Sequence, residues 1–225
     1  VTSHLVDMTN WMLFPGAAID FQQDIELLHA RRWPTLIPLD KFSKITQLDH
    51  FPDSIQNDVK ADGLHYFCNG ELIYRIKEIP VHICVIWNLE IPEGGGDMHA
   101  SIIKGTRSDL MIRQLPESGF RVELLIIPRK DAAQVQVAVQ QCLERWSHKY
   151  PGLLLNREED KILIDIPDAL RTTHEEHFCQ VRDMYLDYLA QGTCPLETRA
   201  CLASKYTLLA EARKRALASP FDPLT

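Results

Sequence analysis

Asp97 and His99 stand two residues apart behind three glycines, in the run Pro92-Glu93-Gly94-Gly95-Gly96-Asp97-Met98-His99. On an extended chain, positions i and i+2 share a side. A carboxylate and an imidazole could therefore meet at a pocket rim and handle a proton. Glycines let the backbone turn tightly or approach a neighbour. The plainer reading is a loop between strands, with Asp97 accepting from backbone amides. The run is not a phosphate loop, because it lacks Gly-x-Gly-x-x-Gly between strand and helix and lacks Gly-Lys-Ser/Thr.

His4 and Asp7 form a second pair, three apart on a helix-spaced segment and so on one helix face. Histidine passes a proton near neutral pH, and Asp7 could orient it or cap backbone. The plainer role is a core or interdomain histidine. His174 and His177 have His-x-x-His spacing without a recognisable third ligand. Thr172 or Thr173 followed by Glu175 and Glu176 reads instead as a helix start, so no metal site is expected. Glu90, Glu93 and Asp97 offer carboxylates near one loop, but spacing cannot set the separation a glycosidase needs. A serine hydrolase elbow, Gly-x-Ser-x-Gly, is missing. Arg32, within Arg31-Arg32-Trp33, could bind an anion or stack on a sugar ring. Tyr66, Tyr74 and Trp87 could stack likewise, or fill a core.

The elements that must position these groups follow from periodicity and turn chemistry. Apolar spacing predicts a helix over 2–13, closed by Pro15-Gly16. A strand is expected at 25–30, broken by Trp33-Pro34-Thr35, then a short helix near 39–48. Residues 65–68 and 72–74 read as strands joined by an Asn69-Gly70 hairpin turn. The run 81–89 is the most strand-like and is expected centrally in the sheet. Strands at 100–104, 108–113 and 122–127 follow. A helix over 132–150, short runs at 153–155 and 162–166, and helices over 174–190 and 195–217 complete the chain. This is an α+β pattern: a large, mostly antiparallel open sheet with helices packed on one face. The open outer face would invite self-association.

Composition narrows the function classes. The chain has 225 residues, 45% hydrophobic and 24% charged, with a net charge of −7. That balance fits an ordinary globular protein and disfavours a nucleic-acid binder, which needs a basic face. No apolar run reaches the eighteen or so residues of a membrane span. Six cysteines without a Cys-x-x-Cys pair suggest free thiols in a reducing cytoplasm rather than a disulfide framework.

Several segments, in order, carry a resemblance. They are His4-Leu5-Val6-Asp7; Asp24-Ile25 through Arg32-Trp33-Pro34-Thr35; Tyr66-Phe67-Cys68-Asn69-Gly70; Gly94-Gly95-Gly96-Asp97-Met98-His99; Lys104-Gly105-Thr106-Arg107; and Tyr206-Thr207-Leu208-Leu209-Ala210-Glu211-Ala212. Together they resemble the C-terminal domain of the glucose–fructose oxidoreductase, inositol dehydrogenase and MocA family, within it a group of bacterial oxidoreductases. The resemblance implies one substrate-binding and oligomerisation domain over 1–225, with an N-terminal Rossmann domain lying outside the sequence. It implies NAD or NADP in the parent and no cofactor in the fragment, which would be inactive alone. It implies a sugar or cyclitol substrate and a homo-oligomer formed through the sheet face. His4 matches the histidine of the family's Asp-x-x-x-His motif and would transfer a proton or orient substrate; the matching Asp would precede Val1. Asp7 would be the structural neighbour of His4, and the resemblance assigns no exact role to the Gly94–His99 segment; with the residue readings above, Asp7, Arg32, Trp87, Asp97 and His99 are the candidate substrate contacts. The runner-up is a non-catalytic carbohydrate-binding or assembly module. A hydrolase using Asp97 and His99 is the third reading.

Overall fold

The computed structural model describes residues 2–91 and 93–218, which strand alternation, helix stripes and turn residues sort into six α-helices, nine strands and three 3-10 turns. In chain order the first are helices α1 (Thr2–Leu13) and α2 (Phe21–Asp24), strand β1 (Ile25–Ile37), α3 (Leu39–Thr46), and strands β2 (Val59–Lys60), β3 (Gly63–Ile76) and β4 (Ile79–Val85). Next come β5 (His99–Lys104), β6 (Ser108–Gln114), β7 (Glu123–Pro128), α4 (Ala132–Trp146), β8 (Leu154–Glu158) and β9 (Lys161–Asp165). Helices α5 (His174–Gln191) and α6 (Leu196–Ala218) close it. The fold is α+β with antiparallel sheets, as the patterning predicts. The strands are divided between two sheets, of four and five strands, where a single large one was expected. The chain forms two compact units, one of Val1–Glu90 with Asp187–Thr225 and the other of Ile91–Leu186.

In the first unit β3 is central, paired with β1 on one side and with β2 and β4 along the other. Leu72, Tyr74 and Ile76 alternate inward along β3, and Ala30 and Ile83 join them from the flanking strands. Val6 of α1 and Leu208, Ala212 and Ala216 of α6 pack on the same face. The buried α6 residues Ser204, Leu208, Ala212 and Ala216 recur every fourth position, the spacing of one helix stripe. Leu208 is fully buried, which is worth roughly 1.5–3 kcal/mol. Small side chains at 212 and 216 let α6 approach the strands closely. Arg215 then reaches β1, where its guanidinium donates to the carbonyls of Leu27 and Leu28 at 2.8 and 2.6 Å. The β1–β3 register shifts between Leu27 and His29. Arg215 thus serves carbonyls at a bulge, where the ladder is disrupted.

Three local expectations are corrected here. Trp33-Pro34-Thr35 does not end the first strand; β1 continues to Ile37 with an irregularity between Trp33 and Thr35. Asn69-Gly70 is not a hairpin turn but lies inside β3, with Gly70 paired to Arg32 and to Val85. The turn falls at Lys77 and Glu78, which both take positive φ, 44° and 70°. Ile76 pairs with Ile79 across it. Two consecutive positive φ values are what a two-residue I′ hairpin requires. Finally, among the described residues β4 is paired only with β3 and lies at an edge, not centrally.

Cross-strand contacts hold Asn69 within the strand. Opposite it on β1, Pro34 has no N–H to give the ladder and the register is irregular between Trp33 and Thr35, a stretch bridged by the Asn69 side chain. Its Nδ2 donates to Trp33 O at 3.2 Å and to Thr35 Oγ1 at 2.9 Å, and its Oδ1 accepts from Trp87 N at 2.7 Å.

The second unit is built on the order β5-β6-β7-β9-β8, antiparallel throughout. The expected Gly105-Thr106 turn joins β5 to β6, with Gly105 N donating to Ser108 O at 3.1 Å. Asp131 caps α4 by accepting from Gln134 N. Val135 and Leu143 of α4 meet Ile126, Ile162 and Ile164 in a small core. At the start of α5, Thr173 Oγ1 accepts from Glu176 N while Glu176 accepts from Thr173 N, the reciprocal capping expected from the acidic first turn. Among the described residues no helix is long and apolar enough to cross a membrane.

Candidate functional site

Helix α1 is fixed by its buried side. Val6 and Asn10 stand four apart, on one face, and both are buried. Asp7, beside them, accepts a hydrogen bond from Lys205 Nζ of α6 at 2.6 Å. Both partners are largely out of solvent, with side chains 18% and 6% exposed. The Lys205 ammonium also lies 4.8 Å from the Tyr206 ring centroid, within cation–π range. Desolvating two charges is expensive and is offset only by close, well-directed contact. One turn before Asp7, His4 is exposed. The helix is therefore pinned through Asp7 and presents His4 outward. Asp7 turns to Lys205 where the sequence offered it as a neighbour for His4.

Lys205 is a site residue that sequence reasoning missed. Its signal was a lysine set between Cys201 and Leu208, three and four residues from apolar positions on a core-facing helix. Asn10 is also new. It is 3% exposed, and neither its Nδ2 nor its Oδ1 has a partner among the described residues.

A second group of predicted residues lies on the same unit, around the Asn69 repair. Trp87 is held at its backbone from both sides, its N–H donating to Asn69 and its carbonyl accepting from Thr35 Oγ1 at 2.7 Å. Its ring is 40% exposed and stands edge-on to Tyr66, with centroids 5.7 Å apart. Arg32 places its guanidinium 4.5 Å over the Phe67 ring and has no carboxylate partner among the described residues. The Tyr66–Trp87 contact could receive a hydroxylated ring, and the Arg32 guanidinium an anion. Tyr74, weighed with them, belongs to the core. It is fully buried, and burial pushes its phenol up to about 12, partly opposed by Thr9.

Asp97 and His99 belong to the other unit. His99 opens β5, and its Nε2 is buried without a partner among the described residues. Asp97 is exposed. The neighbouring Gly96 has a steric reason: a Cβ there would lie 3.1 Å from the Phe120 ring. Pro92, at the head of this run, lies outside the described residues, as does the side chain of His174. Glu90 is engaged by Lys41, and hydrogen bonding to that ammonium, with its charge, holds the carboxyl below the usual range. That is the wrong direction for a general acid. Among the described residues no group of three or more His, Cys, Asp or Glu is placed to hold a metal ion.

A dinucleotide's usual host is a parallel strand–turn–helix unit. The pyrophosphate is normally bound by a glycine turn between the strand and the helix. Here every strand pair is antiparallel among the described residues, and Gly94-Gly95-Gly96 leads into strand β5, not a helix.

A two-unit α+β chain with a pinned, histidine-bearing first helix defines a class. The chain belongs to the family described as "Putative oxidoreductase C terminal domain", whose model matches residues 1–217. It is similar to the crystal structure of a "putative oxidoreductase" from Parabacteroides merdae ATCC 43184, with 40% sequence identity and a TM-score of 0.91. The match covers 97% of this chain and 50% of that one, so the chain spans half the length of that relative. No curated protein matches.

Proposed function

We propose that the chain is the substrate-side, C-terminal domain of an NAD- or NADP-dependent oxidoreductase acting on a sugar or cyclitol. The enzyme would be of the glucose–fructose oxidoreductase, inositol dehydrogenase and MocA type. One observation carries the reading: α1 is locked by the buried Asp7–Lys205 pair and offers His4 to solvent. His4 would take or return the proton of a substrate hydroxyl, at a hydrogen-bond reach of about 2.6–3.2 Å. Arg32 and the Tyr66–Trp87 surface would bind the ring and its polar substituents. Asp97 and His99 are further candidates for substrate contact. The hydride belongs to the dinucleotide's own chemistry, and the dinucleotide would be held outside these 225 residues. Homo-oligomerisation through a sheet face belongs to the same reading. On the first unit that face carries the Glu26–Arg75 and Arg31–Glu71 pairs, so a contact there would be polar.

The test is reduction of NAD or NADP by the full-length protein against a panel of aldoses and inositols. His4→Ala should lower kcat about 10²–10⁴-fold, with a smaller change in KM. The 225-residue chain alone should show no micromolar affinity for either dinucleotide in calorimetric titration. Undiminished turnover by the variant, or tight dinucleotide binding by the chain alone, overturns the proposal. Saturable sugar binding by a full-length protein that never turns over would favour the carbohydrate-binding module.

A further inference from the structure

We infer that the second unit contains a binding site for a single-chain amphiphile with an anionic head, such as a medium-chain carboxylate. Between α4 and the five-stranded sheet lies a cavity of about 650 Å³. Small-molecule sites span roughly 300–1,000 Å³. The wall is almost wholly apolar, with Leu110, Leu124, Val139, Leu143, Ile164 and Ile166 contributing. The unit's packed core forms the floor of this space: Ile126 and Val135, each 7% exposed, line it, and Ile162, 3% exposed, packs with them. A sealed, dry void of this size would cost more than the whole stability of an ordinary domain. The space is therefore open, and it favours an apolar guest. Water gains little in it, because a bound water needs two to four polar partners.

The polar edge selects the guest. Arg107 lines the cavity and is exposed, so it stands at the opening. Its Nη1 donates to Gln134 Oε1 at 3.0 Å, and no carboxylate neutralises it among the described residues. Its carbonyl accepts from the backbone N–H groups of Arg129 and Lys130, at 2.8 and 3.3 Å, which fixes the base of the side chain. Trp146 and Tyr150 also line the space and are 51% and 40% exposed. Amphipathic rings suit such a boundary between apolar interior and water. One uncompensated cation at the mouth of an apolar chamber complements a molecule with one anionic end and one hydrocarbon end.

Decanoate and 1-decanol distinguish the two parts of the claim. Calorimetric titration of the chain should give saturable one-to-one binding of decanoate. Arg107→Gln should weaken decanoate at least tenfold and leave decanol within twofold. Val139→Trp, which fills the chamber, should abolish both while circular dichroism and Tm report an intact fold. Should that variant not fold, quenching by 10-bromodecanoate provides the second measurement, since Trp146 should be quenched and the Trp146→Phe variant should lose that component. Absence of saturable binding, or quenching unchanged in Trp146→Phe, overturns the proposal. So does a Val139→Trp variant that alters self-association while decanoate is without effect, because the chamber would then seat a second copy of the chain.

Discussion

Helices α6 and α4 each cover one face of an antiparallel sheet, and they fill the layer differently. Helix α6 approaches with alanines at 212 and 216, anchors Arg215 in the β1 bulge, and ties its middle to α1 with Lys205 against Asp7. Helix α4 touches its sheet through Val135 and Leu143 and leaves about 650 Å³ unfilled beside them. Close packing with directional anchors holds a surface element in one place, and a presented histidine needs such a base. A loosely filled layer gives up packing energy and gains a chamber. The same α-on-β arrangement is thus tightly anchored in one unit and left open in the other.

The largest effect should come from cutting the anchor that α4 lacks. Lys205→Met leaves the Asp7 carboxylate desolvated and unpaired, which costs about 3–5 kcal/mol. Amide exchange in α1 and α6, with urea melts, should register that loss. Because the harm lies in the orphaned charge, Asp7→Leu combined with Lys205→Met should recover most of it. A double variant as unstable as the single one would mean that the pair contributes net attraction well beyond its desolvation.

Filling experiments sharpen the contrast at a smaller scale. Ala212→Leu forces a branched side chain into a layer with no room, at a cost of about 1–3 kcal/mol. Val139→Leu adds a methylene facing open space and should change stability by less than about 0.5 kcal/mol in either direction. Equal costs from the two, measured by denaturant midpoint, would show both layers to be equally full.

What was legible in the sequence divides along similar lines. The helices at 2–13 and 174–191, and the Gly105 turn, rest on local signals: apolar spacing, a capping threonine and a glycine. Local signals survive into the fold. The Asn69-Gly70 expectation failed because the ordinary turn chemistry of Asn-Gly was overridden from a distance, by pairing with Arg32 and Trp33 on the neighbouring strand. Lys77 and Glu78 carry no turn signature, yet they turn, with Lys77 N donating to Asp24 O at 2.9 Å. The candidate site was half legible for the same reason. His4 and Asp7 announce themselves by spacing, while Lys205 meets Asp7 across 198 positions of chain and no spacing rule reaches that far. The division into two sheets was equally invisible, since each strand declares its faces but not its partners.

The outer faces of the two sheets supply the subtlest comparison. On the first, Glu71 of β3 is 15% exposed and accepts from His82 Nε2 of β4 at 2.8 Å and from Arg31 Nε of β1. His29 Nε2 stands 3.9 Å away. One carboxylate thus ties three strands. On the second sheet each such pair links only two strands: Arg113–Glu123 at 2.7 Å joins β6 to β7, and Lys161–Glu158 at 3.3 Å joins β9 to β8. Burial pushes the Glu71 carboxyl upward, but the hydrogen bonds from His82 and Arg31, with their charges, outweigh it and hold the group below the usual carboxylate range. An acid whose folded pKa lies below its unfolded value stabilises the fold fully above the unfolded value. That stability is lost as pH falls through the folded pKa. With unfolded glutamate near 4.3, the contribution should be complete above roughly pH 5 and should decline below it. Glu71→Gln keeps the shape and removes the charge, so it should cost at most about 1 kcal/mol at pH 7. The stability curves of variant and parent should converge as pH falls, in β3 and β4 amide exchange as in global melts. A variant whose acid limb stays as steep as the parent's would place the acid sensitivity of this sheet on other carboxylates, and the three-strand tie would then be geometry without energetic weight.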